Sequence, residues 1–207
     1  MDYQAIIDKY YPVSEDGGCS DPQPPRSTLV ACLGKNLGGI GGVRTLRQLL
    51  LKHSRQVADR SLLICDRHPE LRLDREFLEE AAMLHDIGIC RCHAPSIFCM
   101  GTEPYICHGL IGGAMLRELG WVRHALVCER HTGTGLTARQ IQSQQLPLPP
   151  RDFVPEALEE QVICYADKFY SKSHPDRCLT VAQAAQSLEK FGHEGVTKFL
   201  EWAARFE

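Results

Sequence analysis

Six residues of this chain have side chains suited to holding metal ions: His53, His85, Asp86, His108, His131 and Asp167 supply four imidazoles and two carboxylates. That donor mix favours borderline cations such as iron, manganese or zinc over calcium, which takes oxygen ligands. His85 and Asp86 are adjacent in the run His85-Asp86-Ile87-Gly88, so a nitrogen and an oxygen donor are offered at one point of the chain. From Leu78 to His85 is about two helical turns, which puts His85 on the apolar side of a segment carrying Leu78, Ala81, Ala82 and Leu84. A single histidine on an apolar face ordinarily reads as a hydrogen-bonded core residue. Here the candidate ligands fall on several separate helical segments, each near or on the apolar side, and such a set asks for a shared partner.

The elements that carry them are all read as helices. Residues 2 to about 10 suit a short helix, and apolar spacing predicts a long one from Val43 to about His68, with His53 on its stripe. Asp74 is a good N-cap for the helix that leads to His85. Further helices are expected from about Pro104 to Leu119, from Trp121 to His131, and from Thr137 to about Gln144. Pro155 opens a helix expected to run through Asp167 to about Ser173, and Val181–Phe191 and His193–Phe206 close the chain. No alternating pattern marks a strand, so the expected fold is an all-α bundle with short connections. Between Tyr11 and Gly42 the runs Asp16-Gly17-Gly18, Asp21-Pro22-Gln23-Pro24-Pro25 and Gly38-Gly39-Ile40-Gly41-Gly42 prevent regular structure. That stretch is expected to be a mobile linker or insertion, dividing the chain into residues 1–42 and a helical body at 43–207.

Composition narrows the partners. The chain has 207 residues, 43% of them hydrophobic, with 23 Lys and Arg against 26 Asp and Glu, a formal charge of −3. Such a balance gives no basic field for a nucleic acid polymer and no polybasic membrane anchor, which leaves a small molecule as the expected partner and a homodimer open. Met1-Asp2-Tyr3-Gln4 does not look like a secretory leader, so a cytoplasmic location with reduced thiols is expected for the ten cysteines. Cys90, Cys92 and Cys99 match no usual zinc spacing, and packing is the reading preferred over a structural or redox role.

In its order of residues, His53, then His85-Asp86, then the distant Asp167, the sequence resembles the HD-domain metal-dependent phosphohydrolase superfamily over roughly Val43 to Pro175. The resemblance extends to His108 and His131, which stand where binuclear members place ligands for a second metal. It implies an HD-domain helical bundle with two divalent transition-metal ions, iron or manganese before zinc, bridged by Asp86. His53, His85 and Asp167 would complete one ion and His108 and His131 the other. Two ions about 3.5–4 Å apart can hold a hydroxide and stabilise charge on a phosphoryl oxygen. The expected activity is hydrolysis of a phosphoester or phosphoanhydride in a small phosphorylated substrate, a nucleotide or dinucleotide. Binuclear iron oxygenases of the same superfamily share the ligand order, and a non-catalytic ligand-sensing domain is a third reading. Arg130-His131-Thr132 departs from the His-His-Glu run of the cyclic-dinucleotide phosphodiesterases, and the segments around His131 and Asp167 look closer to small single-domain members, including diadenosine tetraphosphate hydrolases.

Neighbouring residues give candidate substrate contacts. Lys168, beside Asp167, would place an ammonium on a substrate phosphate and assist catalysis, with a solvated cation as the simpler reading. Arg130 and Thr132 flank His131 and are further candidates, and Gly112, one turn beyond His108, would leave room for substrate to approach. Capping for Thr132 and helix packing for Gly112 are the competing roles. His124, two turns before His131, is considered as an extra ligand against the plainer reading of an exposed helical residue.

Overall fold

The computed structural model describes residues 2–13 and 45–207. The expected mobile stretch therefore falls, from residue 14 to residue 42, outside the described residues. Each helix begins where a side chain can satisfy the first free amide groups. Asp2 accepts from the Ala5 amide at the head of α1 (Tyr3–Tyr10), and Thr45 accepts from Gln48 at the head of α2 (Leu46–Arg67). Asp74 accepts from Phe77 and opens α3 (Arg75–Leu84), as its place in the sequence suggested. The bundle continues with α4 (His108–Glu118), α5 (Val122–Arg130), α6 (Ala138–Ser143), α7 (Leu158–Asp167), α8 (Val181–Leu188) and α9 (His193–Phe206). Reciprocal capping boxes, Thr137 with Gln140 and Thr180 with Gln183, fix the starts of α6 and α8.

Helix α3 is central, touching α1, α2, α5 and α7, while α4 lies along α5 and against the turn Ile87–Arg91. One continuous core is built from Leu49, Leu50 and Val57 of α2, Leu78 and Leu84 of α3, and Val162, Ile163 and Tyr165 of α7. Helix α1 joins that same core through Ile6 and Ile7, and Tyr11 just beyond it is buried as well. Its hydroxyl donates to the Ile87 carbonyl at 2.8 Å and accepts from the Cys90 amide at 3.0 Å. The N-terminal helix thus pins the turn that follows Asp86.

The expected all-α bundle is observed, and two local details of it differ. Short strands do occur: β1 (Cys92–Ala94) lies between β2 (Cys99–Met100), antiparallel, and β3 (Glu103–Pro104), parallel. Two or three residues are too few to show an alternating pattern, which is why none was visible. Pro104 belongs to this sheet, and a tight turn at Tyr105–Cys107 follows it, so α4 starts at His108 and not at Pro104. The second correction concerns the end of α7, which stops at Asp167 rather than running to Ser173. The chain reverses there in a hairpin of β4 (Tyr170–Ser171) and β5 (His174–Cys178), with Ser171 opposite His174 and Lys172-Ser173 at the tip. Pro175 disfavours helix at the residue before it, and the aromatic pair Phe169-Tyr170 suits extended backbone.

Candidate metal centre

His85 caps the C-terminus of α3, and Asp86 follows in the turn that leads away from it. Two glycines let neighbouring backbones close around this point. A Cβ on Gly88 would stand 2.2 Å from the His108 carbonyl oxygen, and one on Gly109 would stand 2.3 Å from that of Cys128. Without side chains there, the Asp86 turn packs on the start of α4, and α4 packs on the end of α5. His108 and His131 are brought over Asp86 in consequence, while α2 and α7 bring His53 and Asp167 from the other side.

All six predicted ligands converge. His53 Nε2 lies 2.9 Å from Asp167 Oδ1 and 3.2 Å from Asp86 Oδ2, and His85 Nε2 lies 3.1 Å from the same Asp86 oxygen. The other Asp86 oxygen is 3.4 Å from His108 Nε2 and 3.5 Å from His131 Nε2. Two groups of donors result, His53, His85, Asp86 and Asp167 in one and Asp86, His108 and His131 in the other, each with its donor atoms within 4.8 Å of one another. Asp86 belongs to both.

The tautomers explain why this cluster fits cations. Three of the rings are oriented by their Nδ1 atoms, which lie 2.7 Å from the Ala82 carbonyl for His85, 2.6 Å from Tyr105 for His108 and 2.8 Å from Cys128 for His131. A carbonyl oxygen only accepts, so each Nδ1 carries a proton and, in the neutral ring, each Nε2 presents a lone pair to the centre. Burial and neighbouring His131 push His108 down to about 3, and burial lowers His131 too, so both rings are neutral. Nε2 of His85 and both Asp86 oxygens are fully buried and make no well-directed hydrogen bond. A cluster of inward lone pairs around a buried carboxylate is suited to divalent cations. His85 differs: burial opposes its charge, but Asp86 and Asp167 overcome that and raise it to about 9. A proton and a metal ion therefore compete for its Nε2.

Two lysines complete the electrostatics. Lys168 Nζ lies 2.6 Å from Asp167 Oδ2 and donates to the His131 carbonyl at 2.9 Å. Lys172 Nζ, at the hairpin tip, lies 2.5 Å from Asp86 Oδ2. Burial works against ionisation of both aspartates, yet Lys172 and His85 hold Asp86, and Lys168 and His53 hold Asp167, well below the usual carboxylate range. Lys172 was missed in the sequence because the helix was extended through it; the Pro175 that ends strand-incompatible helix here was the available signal.

A cleft of about 410 Å³ opens onto the centre past His108, His131, Asp167, Lys168, Lys172 and Thr132. Gly112 and Arg130 are not brought to it, contrary to their expected substrate role. Gly112 is buried against Gly88 and Ile87 as a packing contact. Arg130 pairs with Glu160 at 3.0 Å and Glu156 at 3.3 Å, which occupy its guanidinium away from the cleft. His124 is no ligand either: it lies between Phe77 and Trp121, 3.1 Å from Glu80. Cys92 and Cys99 are buried thiols pushed up to about 12 by burial, and no disulfide joins the described cysteines. They pack the turn beyond Asp86, and no cysteine joins a potential metal group among the described residues.

The HD-domain family pattern matches residues 50–171, which include all six converging ligands. The chain belongs to the HD-domain family. This HD domain is 40% identical over 96 residues to an uncharacterized protein of Methanocaldococcus jannaschii, a match covering 46% of the chain and 49% of that protein. It is 30% identical over 142 residues to a tRNA (cytidine(56)-2'-O)-methyltransferase of Picrophilus torridus, covering 68% of the chain and 36% of the relative. A protein of the same name from Thermoplasma volcanium is 27% identical over 146 residues, covering 70% and 38%. The HD domain thus spans half or less of the length of these curated relatives. No solved structure matches it significantly. No described helix is long and apolar enough to cross a membrane.

Proposed function

We propose that this HD domain hydrolyses a phosphoester or phosphoanhydride bond in a small phosphorylated substrate, a nucleotide or dinucleotide, with two divalent ions, iron or manganese before zinc, held by His53, His85, Asp86, His108, His131 and Asp167. The observation that carries the reading is the junction of a buried His and Asp cluster with a cleft walled by Lys168 and Lys172. When bound, the ions would lower the pKa of water and offset charge on the phosphoryl oxygens. The chain's own residues do the rest. Asp86 offers one oxygen to each ligand group, and three histidines are held in the tautomer that presents Nε2. Lys168 is fixed by Asp167 and the His131 carbonyl, so its ammonium stands at the cleft wall beside the centre, where it is placed to meet a phosphate. Lys172 is the second such cation, and Thr132 offers a hydroxyl on the same wall. The methyl transfer named for two relatives is not carried over, because those proteins are matched over 36% and 38% of their length.

The test is a panel of nucleotides, dinucleotides and phosphomonoesters supplied without oxygen to manganese- or iron-loaded protein. Release of phosphate or nucleotide that disappears in Asp86→Asn supports hydrolysis. Turnover that requires and consumes dioxygen would replace it with an oxygenase reading, and absence of any turnover would favour a sensing role.

A further inference from the structure

Two claims meet on one oxygen of Asp86. Oδ2 is the atom that His53 Nε2 and His85 Nε2 approach at 3.2 and 3.1 Å, so it serves the donor group that Asp167 completes. The same oxygen lies 2.5 Å from Lys172 Nζ. That contact is close, yet neither Asp86 oxygen receives a well-directed hydrogen bond. It is an ion pair held by charge, which another cation at the same oxygen can replace. Lys168 is placed differently. It pairs with Oδ2 of Asp167, leaving Oδ1 to His53 at 2.9 Å and His85 at 3.5 Å. An ion in this donor group therefore meets Lys172 and not Lys168 on its own ligand atom. Asp86 is fully buried, so two cations on its Oδ2 would repel each other with little screening by water.

Lys172 also has somewhere to go. It sits at the tip of the hairpin between β4 and β5, and it lines the cleft of about 410 Å³. The returning strand is tied to α2: Gln56 donates to the Pro175 carbonyl at 2.9 Å and Lys52 pairs with Asp176 at 2.5 Å. With that strand anchored, rotation about the flexible four-carbon stem is enough to carry the ammonium from Asp86 into the cleft. Lys168 directly follows α7 and is held twice, by Asp167 and by the His131 carbonyl at 2.9 Å.

On the metal reading above, and whichever reaction the centre performs, we propose that Lys172 is a displaceable counter-cation. It neutralises Asp86 Oδ2 until a divalent ion takes that oxygen, and then swings into the cleft, where its ammonium is free to meet an anionic ligand. The two metal positions are unequal in consequence, because an ion held by His108 and His131 uses the other oxygen, Oδ1. Ion entry at the His53 position and the release of a ligand-binding cation become one event.

Isothermal titration with manganese tests this without any turnover. Lys172→Met keeps the length of the side chain and removes its charge, and metal-stripped Lys172→Met should bind manganese about tenfold more tightly than wild type, as expected when a buried like-charge repulsion is relieved. The gain should persist when His131→Ala leaves the position on Oδ2. It should fall below about threefold when His53→Ala leaves the position on Oδ1, because the ammonium and the ion are then on different oxygens. Equal or weaker binding in Lys172→Met, or the same gain in both backgrounds, would overturn the displacement and leave the metal reading standing. No manganese binding by either protein would overturn the metal reading and the displacement with it. Amine labelling of the wild-type protein needs no variant. Acetic anhydride followed by peptide mass spectrometry should modify Lys172 several-fold faster with manganese than without, measured against exposed Lys9. A Lys172 rate that does not rise with manganese would also overturn the displacement.

Discussion

Nε2 of His108 and Nε2 of His131 face each other at 3.0 Å, although each ring has its Nδ1 turned to a backbone carbonyl oxygen. With the Nδ1 protons so placed, two neutral rings set lone pair against lone pair. A cation held by such atoms and the adjacent Asp86 oxygen would convert that repulsion into attraction, and these residues would then stabilise the fold as well as bind metal.

Metal binding should therefore raise thermal stability. Manganese at about one hundred times its dissociation constant is expected to add about 2.7 kcal/mol. Differential scanning calorimetry with and without chelator checks it; an identical Tm in both conditions would argue that the cluster is only a polar core.

Gly88→Ala should damage the site from a distance. The new methyl carbon would stand 2.2 Å from the His108 carbonyl oxygen, and backbone on both sides must move. A loss of about 1–3 kcal/mol is expected in urea denaturation, with weaker metal retention. Stability within experimental error of wild type would mean that the packing of the Asp86 turn on α4 is looser than described.

Tyr11 links stability to alkaline pH. Burial pushes its phenol well above its ordinary value of 10.0, so the folded state keeps the proton that the unfolded chain releases. Its contribution is complete below pH 10 and is lost as pH rises beyond it. Tyr11→Phe should cost about 1–3 kcal/mol at pH 7 through the unpartnered Ile87 carbonyl and Cys90 amide. Denaturation midpoints measured at pH 7 and pH 11 should show the gap between the two proteins narrowing at the higher pH; a constant gap would refute the linkage.

Lys168→Ala is expected to raise KM for a phosphorylated substrate by about tenfold, as for loss of one charge-assisted contact. Steady-state kinetics on the best substrate of the anaerobic panel decides this. An unchanged KM would reduce Lys168 to a partner of Asp167 and the His131 carbonyl.

The ligands were legible in the sequence because a buried His or Asp on an apolar stripe is a conspicuous exception, and His85-Asp86-Ile87-Gly88 places two of them together. Helix starts were legible where Asp74 and Thr137 cap them. The hairpin after α7 was not, since its strands are only two and five residues long and the first follows directly on the apolar end of the helix. Lys172 was lost with it, although it lies closer to Asp86 than any predicted ligand does. Arg130 adjoins His131 and Gly112 lies one turn beyond His108, but what each packs against, Glu160 for one and the Gly88 backbone for the other, comes from elsewhere in the fold. Sequence neighbourhood alone does not reveal such partners.

Asp86 would join two metal positions, and elemental analysis of protein purified anaerobically with manganese counts them. Wild-type protein should carry two ions per chain, His108→Ala and His131→Ala one each, and Asp86→Ala close to none. Two ions retained in both histidine variants, with unchanged circular dichroism, would contradict the paired centre.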